Sequence, residues 1–311
     1  MDSFSVSKEL NGIYRVFDIG SNTLLMLIVE CKDGNINILE DDIQIARLGE
    51  GLAATGYISD TSLERAKSII EDYKVKSKKY KIVSTVALAT AAVREASNSE
   101  NVQKTLESFL GSQLSIISSQ EEARLSYHGT FGLEEKGSII DIGGGSTEFA
   151  TLQVGNIKGI SIPIGAVKIK ELFLHSDPPQ EDEISKAREY IFSKFKEFGI
   201  LEKYENVHAV AGTPVTLAGI AQNLKGYDFD KLHGFCFTKD KLNETVELTL
   251  KSTSQTLKDK LGGHPHRSDI ISSGGLILDS FVKYCSIDEL KVNCLGLRFG
   301  PLVSPEGYLI H

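Results

Sequence analysis

Apolar residues recur along this chain with two periods. They run in strand-length blocks over residues 14–19 and 24–30, and after an Asp33-Gly34-Asn35 turn a third block covers 36–39. Three successive strands without a helix predict an antiparallel start to a sheet. Beyond a polar loop marked by Gly49, Gly51 and Gly56, the residues Leu63, Ala66, Ile69, Ile70 and Tyr73 return at helical spacing, with Ser59 or Asp60 placed to cap the helix. A strand is predicted over 81–87, short helices over 90–96 and 99–110, a strand over 114–117, and a helix from Gln120 to about Phe131.

The pattern then restarts. A strand over 137–142 enters a glycine loop, residues 146–154 return, Gly155-Asn156 turns, and 157–162 return again. Helices follow over 167–174, 181–198, 214–224, 240–250 and 268–285, with strands over 207–211 and 290–293. Both blocks therefore open with strand, Asp-Ile-Gly loop, strand, tight turn, strand. A duplicated β-β-β-α-β-α plan with a cleft between the copies accounts for this; the alternative is one sheet with coincidental hairpins.

Composition changes little and excludes much. Hydrophobic residues make up 41% and charged residues 24% of 311, ordinary for a globular chain long enough for two lobes. The apolar runs are too short to span a membrane, and the first twelve residues lack a signal-peptide core, so a cytoplasmic protein is expected. Cys31, Cys236, Cys285 and Cys294 form no C-x-x-C pair and read as reduced thiols. A net charge of −8 argues against binding duplex nucleic acid, while leaving room for a local anion site.

The candidate chemistry sits in the two loops. In Asp141-Ile142-Gly143-Gly144-Gly145-Ser146-Thr147, Gly143, Gly144 and Gly145 let backbone N–H groups approach phosphate oxygens, and Ser146 and Thr147 add hydroxyls. Asp141 ends its strand, where a carboxylate holds a metal ion or its water shell, and Glu148 follows seven residues on. A strand rather than a helix follows the glycines, which excludes a Walker loop and a dinucleotide fingerprint. Asp18-Ile19-Gly20-Ser21-Asn22-Thr23 repeats the logic with one glycine, making Asp18, Gly20, Ser21 and Asn22 candidates. Gly212 and Thr213 stand before Pro214 at a helix start, where free N–H groups attract anions; a plain turn capped by Thr213 is the equal alternative.

Paired Asp-Gly hairpin loops resemble the actin, hexokinase and Hsp70 superfamily. Between them, Ala89-Thr90-Ala91-Ala92-Val93-Arg94-Glu95-Ala96 and Ile117-Ser118-Ser119-Gln120-Glu121-Glu122-Ala123-Arg124-Leu125 resemble two segments of the exopolyphosphatase and guanosine pentaphosphate phosphohydrolase (Ppx/GppA) family. That resemblance covers nearly the whole chain and continues more loosely through His233-Gly234, Arg267-Ser268-Asp269 and Gly296-Leu297-Arg298. It implies an α/β fold of duplicated actin-like (ribonuclease H-like) domains with an interdomain cleft: 1–121 plus 293–311 as domain I and 122–292 as domain II. It also implies hydrolysis of a terminal phosphoanhydride in inorganic polyphosphate or guanosine pentaphosphate. Glu122 would be the catalytic base and Arg94 a phosphate contact. Asp141 and Glu148 would hold Mg²⁺ (or Mn²⁺), and residues 143–146 the phosphates. A membrane partner is not implied, and a homodimer is left open.

Physical chemistry agrees with these roles: such a hydrolase must orient water and neutralise spreading charge, and an arginine suits bidentate phosphate contact. Neighbouring helix positions diverge, so one of Glu121 and Glu122 is expected to face inward. The chain departs from the family at Asn293-Cys294 and Phe299, which replace a Ser-Asp pair and a Glu, and at Leu24-Leu25, where relatives often carry a basic residue. Its length matches the short, two-domain members. The run Lys74, Lys76, Lys78, Lys79, Lys81 is expected to be a solvated helix end rather than a polyphosphate guide, and His264-Pro265-His266 a surface turn rather than a metal site. The competing functions are an ATP-dependent small-molecule kinase of the same superfamily and a non-catalytic nucleotide or polyphosphate sensor, with an actin-like filament subunit beside it.

Overall fold

The structure is a computed structural model that describes residues 6, 10–132, 137–153, 155–201, 203–260, 267–303 and 308. The chain divides into two compact units, residues 1–135 with 296–311, and residues 136–295.

In the first unit, β1 (Gly12–Ile19), β2 (Thr23–Lys32) and β3 (Asn35–Ile45) form an antiparallel meander. The chain continues through α1 (Leu52–Thr55) and α2 (Asp60–Ser77) to β4 (Ile82–Ala89), then through α3 (Ala91–Glu95) and α4 (Ser99–Leu110) to β5 (Ser115–Ile116) and α5 (Ser119–Phe131). The sheet order is β3-β2-β1-β4-β5, with β1, β4 and β5 parallel. Strand alternation puts Phe17, Ile19, Leu24, Met26, Ile28, Ala87 and Ala89 on one face, where they bury against Leu63, Ala66, Ile70, Tyr73, Val102 and Leu106 of α2 and α4. The Ser59 hydroxyl accepts from the Ser62 N–H at the start of α2, an N-cap of the kind that contributes about 1 kcal/mol.

The second unit repeats the plan. β6 (Ser138–Ile142), β7 (Thr147–Gln153) and β8 (Asn156–Ile162) form the meander, followed by α6 (Ala166–Phe173), α7 (Glu181–Glu197), β9 (Val207–Val210), α8 (Gly212–Ala221) and α9 (Phe229–Leu232). β10 (Cys236–Thr238), α10 (Lys239–Leu250), α11 (Ser254–Lys260), α12 (Ile271–Tyr284) and β11 (Glu289–Val292) complete it. The sheet order is β10-β11-β9-β6-β7-β8. Strand for strand, β8-β7-β6-β9-β11 matches β3-β2-β1-β4-β5, which is the duplication read from the sequence.

Two expectations change. Helix α5 lies whole in the first unit, so the division does not fall between Glu121 and Glu122. The reason is close packing of α5 on the returning segment with its 3-10 turn Leu297–Phe299 and α13 (Gly300–Val303). A Cβ on Gly129 would overlap the Gly296 carbonyl, and one on Gly300 would overlap the Leu125 carbonyl. Strand β3 also runs past Leu39 to Ile45, because Glu40, Asp41 and Asp42 find cations: Lys79, Arg298 and Lys76.

Candidate active site

Ligands of α/β sheets gather beyond the carboxyl ends of parallel strands. In the first unit those ends carry loop 1 after β1, Thr90 and α3 after β4, and Ser118 and α5 after β5. Ladder bonds hold them side by side: the Thr90 N–H donates to the Ile19 carbonyl at 3.2 Å and the Ile117 N–H to the Ala89 carbonyl at 3.1 Å. From this edge Arg94 donates through Nη1 to Glu122 Oε2 at 2.9 Å and to the Ile117 carbonyl at 2.9 Å. Glu122 is buried and Arg94 partly so. Arg94 and Glu122, drawn from segments 28 residues apart, are thus one hydrogen-bonded pair.

Glu121 turns elsewhere. Arg124 grips its carboxylate with Nε at 2.8 Å and Nη2 at 2.7 Å, and the Tyr308 hydroxyl donates to it as well. The Arg124 guanidinium holds the Glu121 carboxyl below its usual range.

Loop 1 is a tight connection in which the Gly20 N–H donates to the Thr23 carbonyl at 2.9 Å. A strap at residues 46–50 pins its other carbonyls. The Ser21 carbonyl accepts from the Gly49 N–H at 2.7 Å, and the Asn22 carbonyl accepts from the Ala46 and Arg47 N–H groups at 3.0 Å each. A trans peptide points its C=O and the next N–H in opposite directions. The N–H groups of Asn22 and Thr23 therefore face away from the strap. The Asn22 side chain is buried, and its Nδ2 has no hydrogen-bond partner among the described residues, a donor whose desolvation is uncompensated until an acceptor arrives.

Loop 2 uses the same device with a different pin. The Gly143 carbonyl accepts from the Ala166 N–H at 2.9 Å, and the Gly144 carbonyl from the Val167 and Lys168 N–H groups at 2.9 and 3.3 Å. The first turn of α6 thus turns the Gly144 and Gly145 N–H groups outward. Loop 2 and α6 touch so closely that a Cβ on Gly165 would overlap the Gly144 carbonyl. Ser146 is buried within the loop. Thr147, expected as a further phosphate donor, spends its hydroxyl on the Ile164 carbonyl at 2.6 Å and is fully buried.

Asp141 and Glu148 are direct partners in the β6–β7 register, so both project from the same sheet face with Cβ atoms about 5 Å apart. Ile140, Ile142 and Phe149 point to the opposite face and its core. The carboxylates are buried, and Glu148 Oε1 accepts from the Ser161 hydroxyl at 2.7 Å. Two like charges opposed in a buried sheet are unfavourable without a cation, and Mg²⁺ takes one or two carboxylates together with phosphate oxygens, so this donor set fits it. Among the described residues no group of three or more His, Cys, Asp or Glu side chains is placed for a metal. Asp18 occupies the position equivalent to Asp141, but its partner across β2 is Leu25, so the first unit has no such pair.

Gly212 opens α8 without a side-chain cap, and Ala211 before it has φ 71° and ψ −172°, a region that favours glycine and costs other residues roughly 1–3 kcal/mol. Thr213 lies inside the helix and does not cap it. A Cβ on Gly212 would overlap the Arg267 guanidinium, which therefore rests on the glycine at the positive end of α8. Burial lowers the Arg267 pKa to about 10, which leaves it charged at neutral pH. Sequence reasoning missed the strap, the α6 pin and the placement of Arg267; Gly49, Gly51 and Arg267-Ser268-Asp269 were their only local signals.

Other residues singled out in the sequence take internal hydrogen bonds or surface ion pairs. His233 Nδ1 accepts from the Cys294 N–H at 3.3 Å and the ring stacks on Phe229. Asn293 Oδ1 accepts from the Leu295 N–H at 2.9 Å, so this departure from the family serves a turn. Lys74, Lys76 and Lys79 pair with Glu71, Asp42 and Glu40. His264-Pro265-His266 lies outside the described residues. Among the described residues no helix is long and apolar enough to cross a membrane.

The chain is 28% identical over 312 residues to exopolyphosphatase 2 of Mycobacterium tuberculosis, covering 93% of this chain and 97% of that one. It is 28% identical over 309 residues to a bifunctional 3-dehydroquinate synthase/phosphatase of Fusobacterium nucleatum, covering 93% of this chain but 46% of that longer protein, about half its length. The crystal structure of the Ppx/GppA family member from Aquifex aeolicus superposes with a TM-score of 0.79 at 27% identity, over 96% of this chain and 99% of that one. An exopolyphosphatase from Cytophaga hutchinsonii shares the fold with a TM-score of 0.82 at 23% identity, over 93% and 96% of the two chains. The model of the Ppx/GppA phosphatase family matches residues 27–309, and the chain belongs to that family.

Proposed function

We propose that this chain is a phosphoanhydride hydrolase releasing terminal orthophosphate from inorganic polyphosphate, guanosine pentaphosphate or both. The observation that carries the reading is the Arg94–Glu122 pair: a buried carboxylate held at 2.9 Å by a guanidinium at the carboxyl edge of the sheet that bears loop 1. Hydrolysis needs a base to orient water and cations to meet the charge of the transferring phosphoryl group. Arg94 hydrogen-bonds Glu122. A terminal phosphate competes for that guanidinium, and as Arg94 turns to it, Glu122 is left to take a proton from water. In the first unit the outward N–H groups of loop 1 with the Ser21 and Asn22 side chains, and in the second those of loop 2 with Ser146 and the α8 start at Gly212 and Thr213, are suited to bind phosphate oxygens. Asp141 and Glu148 would hold Mg²⁺, which supplies charge neutralisation at the phosphate oxygens when bound. Asp18, a carboxylate, contacts phosphate only through water or a cation. The relative named exopolyphosphatase 2 makes polyphosphate the first substrate to test.

The test is phosphate release from polyphosphate and guanosine pentaphosphate, side by side, with Mg²⁺. Release from either, lost in Glu122→Gln while substrate still binds, is the expected result. No release from both, or ATP-dependent phosphorylation of a small molecule outpacing it, overturns the proposal.

A further inference from the structure

We propose that Arg65 on α2 is a positioning residue for the phosphate site: it acts through the 46–50 strap to set which way the peptides of loop 1 point. The inference rests on loop 1 contacting phosphate, as argued above.

Among the described residues, the hydrogen bonds of the Arg65 guanidinium go to the strap and to Ser62, not to loop 1. Its Nε donates to the Ala46 carbonyl at 3.0 Å, and its Nη2 reaches the Arg47 carbonyl at 3.5 Å, Glu50 Oε2 at 2.6 Å and the Ser62 hydroxyl at 2.8 Å. One guanidinium thus gathers two consecutive strap carbonyls and a strap side chain onto the first turns of α2. The strap N–H groups pass that order on. Those of Ala46 and Arg47 converge on the Asn22 carbonyl, and that of Gly49 meets the Ser21 carbonyl. Convergence of two consecutive N–H groups on one oxygen goes with a left-handed backbone at Arg47, φ 51°, a conformation a non-glycine residue adopts only where its surroundings impose it.

The strap also fits loop 1 by shape. A Cβ on Gly49 would lie 3.0 Å from the Ser21 Cβ and 3.3 Å from the Ser21 carbonyl oxygen. The chain of contacts runs from Arg65 to the strap carbonyls, from the strap N–H groups to the Ser21 and Asn22 carbonyls, and from the planarity of those peptides to the N–H groups of Asn22 and Thr23. Without the guanidinium, the Ala46 and Arg47 carbonyls lose their anchor and the peptide planes of loop 1 are free to turn. A preorganised site then reorganises on binding, which costs affinity more than it costs the chemical step. Loop 2 needs no such residue, since its pin is the first turn of a helix.

Arg65→Ala tests the inference, with Gly49→Ala as an independent lesion of the same strap. Each is compared with the wild-type chain by steady-state phosphate release from tripolyphosphate and by hydrogen–deuterium exchange of the ligand-free protein. The expected result is a KM raised about tenfold with kcat within about twofold, and faster exchange confined to peptides covering residues 20–24 and 44–51. Wild-type KM, or wild-type exchange over 20–24, in folded Arg65→Ala overturns it. If the wild-type chain releases no phosphate from any substrate, the proposed function falls, and exchange over 20–24 alone still decides whether Arg65 orders loop 1.

Discussion

Glu121 and Glu122 are neighbours in one helical turn, yet the fold gives them different work. Successive helix positions differ by about 100°, so when Ser118 caps α5 and fixes its rotation, Glu121 meets Arg124 and Tyr308 while Glu122 meets Arg94. Their substitutions are expected to separate cleanly. Glu122→Gln keeps the shape and a hydrogen-bond acceptor for Arg94 but removes the proposed base, and turnover is expected to fall about 10²–10⁴-fold, read as phosphate release at saturating substrate. Glu121→Gln is expected to act on stability. Because Arg124 lowers the Glu121 pKa on folding, the carboxylate contributes stability above its unfolded pKa of about 4.3, and that contribution is lost as pH falls through the lower folded value. The Tm gap between wild type and Glu121→Gln should be present at pH 7 and shrink as the pH falls below the ordinary carboxylate range. A gap that widens on acidification would show that Glu121 is not held in this way.

At the scale of elements, the second unit carries its own acid sensitivity. His208 lies on β9 between β6 and β11, and burial, with the nearby charges of Lys291 and His233, lowers its pKa to about 4. Between that value and the unfolded value near 6.5 the unfolded chain binds the extra proton, so stability falls as pH drops from 6.5 to 4, by about 3 kcal/mol. His208→Gln should flatten Tm against pH over that window; an unchanged slope would assign the acid sensitivity elsewhere. Helix α5 offers a second test. Gly129→Ala improves helix propensity by about 1 kcal/mol but sets a methyl group into the Gly296 carbonyl. A fall in Tm of about 5 °C or more is expected, and a rise would mean that the 296–303 segment does not pack there as described. These elements also show where sequence reading stops. Both loops were legible because a hairpin, an aspartate and a glycine are local signals. What pins them was not, since the donors come from residues 46–49 and 166–168 and nothing in either stretch advertises an acceptor. The acidic run at Glu40, Asp41 and Asp42 read as the end of β3 for the same reason: its cations arrive from Lys79, Lys76 and Arg298, the last two 34 and 257 residues away. The docking of α5 on residues 296–303 is illegible for a like reason: the glycines that allow it, Gly129, Gly296 and Gly300, have no periodic signature.

Across the whole molecule, one plan has been filled with two chemistries. The strand orders match, and each unit places a glycine loop after its central strand, but the first holds the Arg94–Glu122 pair while the second holds opposed carboxylates. At the equivalent position Asp18 faces Leu25 where Asp141 faces Glu148, so divergence at a single cross-strand partner gives the second unit alone, at that register position, two opposed carboxylates suited to a cation. On the proposed reading, with Mg²⁺ at Asp141 and Glu148, metal binding belongs to the second unit and the stability of the chain responds to it. A cation that binds the folded state alone stabilises by RT ln(1 + [L]/Kd), about 2.7 kcal/mol at a hundredfold excess over Kd. Mg²⁺ titrated into the substrate-free, chelator-treated chain should therefore raise the Tm of wild type and of Glu122→Gln alike. Asp141→Asn removes one of the two opposed charges, so it should lose the shift and shed part of the repulsion that Mg²⁺ relieves. If Asp141→Asn keeps the wild-type Mg²⁺ shift while Glu122→Gln loses it, the ion belongs to the first unit and the assignment of Asp141 and Glu148 is wrong.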